Sequence, residues 1–540
     1  MADARPVKQV TLTIEGRAVT VPDGTSILEA AKTAGILIPH YCYHPGLPVA
    51  GVCRMCLVEV EKFPKLAPAC ATAVGEGQVV HVHSEKALEA RKGVLEFLLI
   101  NHPLDCPICD QAGECELQDY TFQEGRAESR YLEPKRWNPA EDFGGDVLYV
   151  TNRCILCTRC VRFMDKVAEY PVLNVSERGD RAVIGIHPEQ DLGGHAWSGN
   201  VIDLCPVGAL VSKDFLNKAR AWELDHSASV CPNCSQGCNA VLETRDNTVV
   251  RMRARPNDDV NQYYLCDEGR LAYRWLNRRD RSELPYVRSA AAVAGRGGSL
   301  TPADWEEAVA EAASILNGAR AHVLASPMLS NEALYLLSRV VERTGGRGVF
   351  AVKTGPEARL DGVDDLALRH DRAANVAGAR LLGFERREAA DALAGLTGGD
   401  VLVVADEELD GAPVQLPAGV RVVVVGTTVP AWAAAADVVL PTANMAEEEG
   451  TFTNLRGRVQ RFLQAKSPPG LSRATWSVLG DLLAAMGEGQ GHWAAADVFD
   501  ALAGAHPRFA GLSYDALGLR GRVIVAEGAA AAEPATAGAA

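Results

Sequence analysis

Polarity alternates along Val10–Ile14 and again along Arg17–Val21, with Glu15-Gly16 between them, so the chain opens as a β-hairpin. Pro22-Asp23-Gly24 turns the chain, and Ser26 with Glu29 three residues on makes a capping box for a helix ending near Gly35. A second cap at Ser84 predicts a helix over Glu85–Asn101, with Leu88, Leu95, Leu98 and Leu99 on one face and Pro103 as its stop. Residues 120–150 are polar and lack a period, and they read as a linker. Beyond about residue 295 the pattern changes. Short β-branched runs (Ala321–Ala325, Val401–Ala405, Arg421–Gly426) alternate with helical stretches such as Asn331–Arg343, which predicts buried parallel strands with crossover helices. The last fifteen residues, 526–540, are mainly Ala, Gly, Pro and Glu; with nothing to bury, they read as a disordered tail.

A chain of 540 residues exceeds one core and implies several domains. Its 47% hydrophobic and 23% charged residues are ordinary for a globular protein. The net charge of −15 argues against nucleic acid as a partner, because phosphate binding needs a basic face. The longest apolar candidates, Val94–Ile100 and Val420–Gly426, fall far short of the ~18 residues of a spanning helix. Met1 to Pro6 has no basic start leading into an apolar run, so nothing suggests secretion. Any work at a membrane is then that of a peripheral subunit.

The cysteines change the picture most. All fifteen lie between Cys42 and Cys266, and their odd number fits a disulfide framework poorly. Thiolate sulfur is the ligand that iron–sulfur clusters prefer, and closely spaced cysteines on one loop supply several ligands at low ordering cost. The first set is Cys42, Cys53, Cys56 and Cys70, a C-x10-C-x2-C-x13-C pattern like that of plant-type [2Fe–2S] ferredoxins but with a longer first gap; Gly51 lies beside the loop. The preceding strand, strand and helix are how a β-grasp ferredoxin begins, and zinc is the alternative occupant. The second set, Cys106, Cys109 and Cys115, is one ligand short of a [4Fe–4S] cubane, and His102 stands four residues before it. The third set is the C-x2-C-x2-C triplet Cys154, Cys157 and Cys160 with Cys205-Pro206 later, the signature of bacterial two-cluster ferredoxins. Arg153, Arg159 and Arg162 flank it, either as solvated charge or as compensation for an anionic cluster. The fourth set is Cys231, Cys234, Cys238 and Cys266, for which a zinc ribbon rivals [4Fe–4S]. Fifteen cysteines plus His102 give sixteen ligands, as many as one [2Fe–2S] and three [4Fe–4S] clusters require, and leave no cysteine as a nucleophile.

In order and spacing these sets closely resemble the iron–sulfur G-subunit family of bacterial NADH–quinone oxidoreductase, respiratory complex I, whose mitochondrial equivalent is the 75-kDa subunit. The match is strong over residues 8–285. From Cys231 on, the chain resembles the molybdopterin oxidoreductase fold, including the stretch from Val439 to Arg458. It departs from active members at Cys266-Asp267-Glu268, where a carboxylate stands in place of a lysine, and no Cys follows Cys266 to serve as a molybdenum ligand. No molybdopterin is therefore expected, and the C-terminal domain reads as scaffold. The resemblance implies an α/β multidomain fold: a β-grasp [2Fe–2S] domain (1–83), a [4Fe–4S] domain with one histidine and three cysteine ligands (84–123), a [4Fe–4S] ferredoxin-like domain (124–223), a molybdopterin-oxidoreductase-type [4Fe–4S] domain (224–285), the α/β domain (286–525) and the tail (526–540). It also implies single-electron relay from a flavin subunit through the Cys42, Cys154 and His102 clusters towards quinone, with the Cys231 cluster off the route and no bond-making site on this chain. The implied partners are the flavin/NADH-binding subunit, a small [2Fe–2S] subunit, a membrane-proximal ferredoxin-like subunit and other peripheral-arm subunits, at the cytoplasmic face of a bacterial inner membrane. The alternatives are an iron–sulfur or molybdenum subunit of an NAD-linked formate dehydrogenase or hydrogenase, and a zinc-stabilised interaction protein.

Overall fold

Val10, Leu12 and Ile14 point inward from β1 (Gln9–Ile14), and Val19 and Val21 from β2 (Arg17–Pro22), so their antiparallel register builds one apolar face. The computed structural model describes residues 8–288, 299–409, 415–433, 436–489 and 492–524; the tail expected over 526–540 lies outside them. The chain forms two compact units, Met1–Leu224 with Leu360–Asp365, and Asp225–Arg359 with Leu366–Ala540.

In the first unit, α1 (Ile27–Thr33) starts at Ser26, whose Oγ accepts from the Glu29 N–H at 3.2 Å. The Glu29 carboxylate accepts from the Tyr43 hydroxyl at 2.8 Å, tying this helix to the loop of Cys42. β3 (Leu57–Val60), β4 (Ala67–Pro68) and β5 (Val79–His81) complete a sheet of order β2-β1-β5-β3-β4, with β5 parallel to β1. Ile14, Ile27, Val58 and Val80 fill the core beneath it, each contributing about 1.5–3 kcal/mol by leaving water.

α2 (Glu85–Leu99) follows, capped by Ser84 as expected and two residues shorter at its end. The linker expected over 120–150 is in part ordered. It contains the end of α3 (Glu116–Glu124), which buries Leu117 and Tyr120, and the hairpin of β6 (Glu141–Gly144) and β7 (Val147–Tyr149), which buries Phe143, Val147 and Tyr149. Strands of three and four residues are too short to show a period. Then come α4 (Arg159–Lys166), the hairpin β8 (Leu173–Ser176) and β9 (Val183–Ile186), α5 (Asn200–Leu204), and β10 (Leu210–Ser212), which returns to pair with β7.

The second unit begins with an antiparallel meander, β11 (Asp225–Val230), β12 (Asn239–Arg245) and β13 (Thr248–Ala254), and the short α6 (Asp267–Leu271). An eight-stranded sheet follows. At one edge lie β14 (Tyr286–Arg288) and β15 (Leu300–Pro302); after α7 (Trp305–Leu316) comes β16 (Ala321–Ala325), then α8 (Asn331–Thr344) and β17 (Arg347–Phe350). A small hairpin of β18 (Ala358–Arg359) and β19 (Ala367–Leu368) and helix α9 (Val376–Leu381) precede β20 (Glu385–Arg386), β21 (Val401–Ala405), β22 (Arg421–Gly426) and β23 (Val438–Pro441). The order is β15-β14-β23-β22-β21-β16-β17-β20, and β23 through β20 are parallel, as the β-branched runs predict. The chain winds outward from β16 to β20, then resumes beside β16 at β21 and winds the other way. Such a reversal opens a crevice beyond the carboxyl ends of the strands. β16 and β21 are buried along their whole length, with Val323 and Val403 in the core on one face and Leu324 and Val404 in that on the other.

Candidate metal centres

All fifteen cysteines are free thiols, none of them exposed. The structure gathers them in the four sets that the spacing indicates.

In the first, the Cys42 N–H donates to Cys53 Sγ at 3.4 Å. Hydrogen bonds from the Cys53 and Cys70 thiols hold Cys42 well below the usual thiol range, while Cys53 and Cys70 are themselves pushed up. Gly51, at φ +65°, lets the loop fold back with Ala71 Cβ only 3.7 Å from where a side chain would begin.

The second set lines a cavity of about 700 Å³ that also holds His102. His102 follows α2, Cys106 sits in a 3₁₀ turn, and Cys115 precedes α3. Burial pushes the Cys115 thiol up to about 11 and the His102 imidazole down to about 4, leaving the ring neutral at pH 7 as a ligand must be.

The third set lines a cavity small enough to be almost filled by its own walls, about 20 Å³. Leu156 and Thr158 both take left-handed backbone, at φ 53° and 61°. This curls the triplet around one point and aims the Leu156 N–H at Cys154 Sγ (3.4 Å). Burial pushes Cys154 up to about 11 and Cys157 up to about 12. Cys205 arrives from the end of α5.

In the fourth set, the Cys231 N–H donates to the Cys238 carbonyl at 2.8 Å, and Cys266 caps α6 by accepting from the Gly269 N–H at 3.3 Å. Burial pushes Cys231 up to about 12 and Cys238 and Cys266 well above the usual range.

The chemistry common to these sites is that buried thiols hold their protons unless another positive charge takes the proton's place. Iron does so, and thiolate is the donor its clusters use. Among the described residues none of the sets forms a ready-made site for a single ion. Glycine leaves room at two of them. A Cβ on Gly208 would stand 2.3 Å from Cys109 Sγ, and one on Gly269 would stand 3.1 Å from Cys231 Sγ and 3.2 Å from Cys266 Sγ. The donor sets therefore fit iron–sulfur clusters.

Sequence reasoning missed several residues that hold these loops together. Tyr41, beside Cys42, meets Tyr120 of α3 edge to face at 5.4 Å, its hydroxyl buried without a hydrogen-bond partner. The Glu116 N–H donates to Pro206 O at 3.1 Å, joining the loops of Cys115 and Cys205. The arginines around the triplet reach further than solvated charges would: Arg153 binds Asp105, Arg159 binds Glu116, and Arg162 binds the Cys42 carbonyl.

In the second unit the crevice at the strand reversal encloses about 620 Å³, between loops that carry Ser326, Lys353, Asp406 and Thr427. Glu268, in the position where active molybdopterin enzymes carry lysine, lines it. There Glu268 accepts from Asn233 Nδ2 (3.0 Å) and pairs with Arg372 Nε (3.2 Å). Asp406 Oδ1 accepts from both the Thr427 N–H (2.8 Å) and its hydroxyl (2.6 Å).

Fold and sites define a multidomain iron–sulfur protein, and family models match its parts in series. They are a 2Fe-2S iron-sulfur cluster binding domain (7–85), an NADH-ubiquinone oxidoreductase-G iron-sulfur binding region (91–130), a ferredoxin-like domain of NADH-quinone oxidoreductase subunit 3 (144–211), a molybdopterin oxidoreductase Fe4S4 domain (226–278) and a molybdopterin oxidoreductase domain (370–485). The chain is a relative of the G subunit of NADH-quinone oxidoreductase: it is 40% identical to that of Rickettsia bellii over 339 residues, 62% of this chain and 48% of the relative. It is likewise 41% identical over 355 residues to the mitochondrial NADH-ubiquinone oxidoreductase 78 kDa subunit of Candida albicans, 64% of this chain and 48% of that protein. The chain spans about half the length of the curated relatives it matches. A crystal structure of an NAD+-reducing [NiFe]-hydrogenase in its H2-reduced state is 30% identical, over 39% of this chain and 90% of that one, with a TM-score of 0.36.

Proposed function

We propose that this chain is an electron-relay subunit of an NADH:quinone oxidoreductase, holding one [2Fe–2S] cluster on Cys42, Cys53, Cys56 and Cys70 and three [4Fe–4S] clusters. The cubane ligands are His102, Cys106, Cys109 and Cys115; Cys154, Cys157, Cys160 and Cys205; and Cys231, Cys234, Cys238 and Cys266. The observation that carries this reading is the joining of three thiol loops in one unit. The loop of the third set touches that of the first through Arg162 and that of the second through the Glu116–Pro206 bond. Bound clusters would supply reversible one-electron chemistry. The protein's own work is to hold the ligands, exclude water and fix the spacing.

His102 supports the assignment of the second set because burial keeps its ring neutral. Partners are a flavin/NADH-binding subunit, a small [2Fe–2S] subunit and a membrane-proximal ferredoxin-like subunit within the peripheral arm. For the last, Phe122 and Trp222, 94% and 69% exposed, line the cavity of the second set and offer an apolar landing. Among the described residues no helix is long and apolar enough to cross a membrane, which suits attachment through the complex. The second unit acts as scaffold without molybdopterin: Glu268 is already paired with Arg372, and Asp406 is held by Thr427. The boundaries 1–83, 84–123, 124–223, 224–285 and 286–525 complete the proposal.

Metal analysis of anaerobically reconstituted protein tests it. About fourteen irons per chain, the sum for one [2Fe–2S] and three [4Fe–4S] clusters, with no molybdenum or tungsten, is the expected result. Zinc in place of iron, or molybdenum near one per chain, overturns it.

A further inference from the structure

The three arginines around the Cys154 triplet are not equivalent, and one has an unusual position. Arg159 follows Thr158 into α4, between Cys157 and Cys160, and is 4% exposed. Its Nη2 donates to the Tyr43 carbonyl at 2.8 Å, next to Cys42 of the first set. Its Nη1 donates to the Leu204 carbonyl at 3.3 Å, next to Cys205 of its own set. Both terminal nitrogens reach the carboxylate of Glu116, next to Cys115 of the second set, at 3.5 and 3.4 Å. One guanidinium thus bonds, in each of three sets, to a residue adjacent to a ligand. The other two arginines join pairs only. Arg162 binds the carbonyls of Pro48, Cys42 and Cys157, linking first and third sets. Arg153 binds Asp105 at 2.7 and 2.9 Å and the Gly208 carbonyl at 3.4 Å, linking second and third.

An arginine that served only solubility would stay in water. A buried cation costs several kcal/mol unless its donors are met, and here they are met by two main-chain carbonyls and one carboxylate. The planar fork of arginine suits this because its donors diverge at fixed angles, which an ammonium cannot copy. In a poorly solvated interior its charge acts over several ångströms on whatever lies beyond those carbonyls.

We propose that Arg159 is the positioning residue of the electron path, a single buried cation that locks the loops of three thiol sets together and lends all three the same positive charge. This rests on the cluster assignment proposed above. Two consequences follow and separate the roles. As a charge, Arg159 favours the reduced, more negative state of each cluster, so removing it lowers all three midpoints together. As a clamp, it fixes the intervals between clusters, so removing it weakens their magnetic interaction.

The test is an EPR-monitored redox titration of the full chain with its clusters assembled, comparing wild type, Arg159→Met, Arg159→Lys and the exposed-turn control Arg181→Met. Arg159→Met should reduce the reduced-to-oxidised ratio of all three clusters at a fixed potential on the order of tenfold, about 59 mV for a one-electron couple, and should lengthen the relaxation times that neighbouring clusters shorten. Arg159→Lys should keep the midpoints near wild type yet show the same loss of relaxation enhancement. Arg181→Met should match wild type. A shift confined to the third cluster, or none, overturns the proposal. Should Arg159→Met fail to assemble, Arg159→Lys decides alone: weakened magnetic interaction at unchanged midpoints supports the clamp, and behaviour identical to wild type overturns it. Failure of the wild-type chain to show three such clusters would instead refute the cluster assignment, whatever Arg159 does.

Discussion

At the scale of single residues, the sites depend as much on missing atoms as on ligands. Gly208 is three residues past Cys205, yet its α-carbon faces Cys109 of the neighbouring set, so even one methyl would collide with that sulfur at 2.3 Å. Neither the sulfur, once bound to iron, nor the Gly208 main chain, whose carbonyl holds Arg153, can retreat cheaply. Overpacking of this kind costs about 1–3 kcal/mol. Gly208→Ala should therefore lose the second cluster while keeping the others, and iron falling by about four per chain with the third cluster's signal retained is the check. The Cys-Pro-Val-Gly segment reads easily in sequence as the end of a ferredoxin loop. That its glycine serves a different cluster is invisible there, because the contact joins residues 99 positions apart.

At the scale of elements, α2 and α3 enclose the His102 loop, and one side chain clips them together. Arg91 of α2 is wholly buried, with Nη1 on both oxygens of Glu124 at the end of α3 (2.9 and 3.1 Å) and Nη2 on the Val82 carbonyl. Removing one member of a buried pair leaves the other charge uncompensated and costs about 3–5 kcal/mol. Arg91→Ala should lower the first unit's stability by that amount, while Lys86→Ala, which breaks the exposed pair with Glu59, should cost under about 1 kcal/mol. Equal effects in chemical denaturation would refute the clip. The sequence shows α2 through its cap and leucine stripe, and it shows the parallel strands as β-branched runs. It hides α3, whose nine residues carry only two buried side chains, and the hairpin at Glu141–Tyr149. Their order comes from partners that arrive later in the chain, β10 above all. Arg91 itself looks like an ordinary polar position on a helix, since periodicity distinguishes apolar from polar but not paired from solvated.

At the scale of the whole molecule, the second unit carries a pH dependence in its core. Glu448 and Glu332 are both buried carboxylates: Glu448 accepts from the Thr475 N–H (2.6 Å), and Glu332 from Thr451 and the Tyr514 hydroxyl (2.9 Å). Burial first, with Glu332 and Asp406 as like charges nearby, raises Glu448 from an ordinary 4.5 to about 8; burial raises Glu332 to about 7. Here the folded state binds protons more tightly than the unfolded one, so stability falls as pH rises from about 4.5 to about 8, and the full penalty is present above that. Glu448→Gln keeps an acceptor for Thr475 and removes the titration. Its Tm should match wild type near pH 4.5 and exceed it increasingly up to pH 9; a gap independent of pH would count against this.

The fourth thiol set is framed by late sequence. The Ser235 N–H donates to Asp371 O, Gln236 accepts from Arg369, and Asn239 donates to Gln460. The other three sets lie within the first 224 residues and are braced by one another. A ribosome making this protein therefore releases the supports for three sets early in translation. The Cys231 loop waits for more than two hundred further residues before its frame is whole, so maturation has a built-in order: three sites first, the last at the close of synthesis.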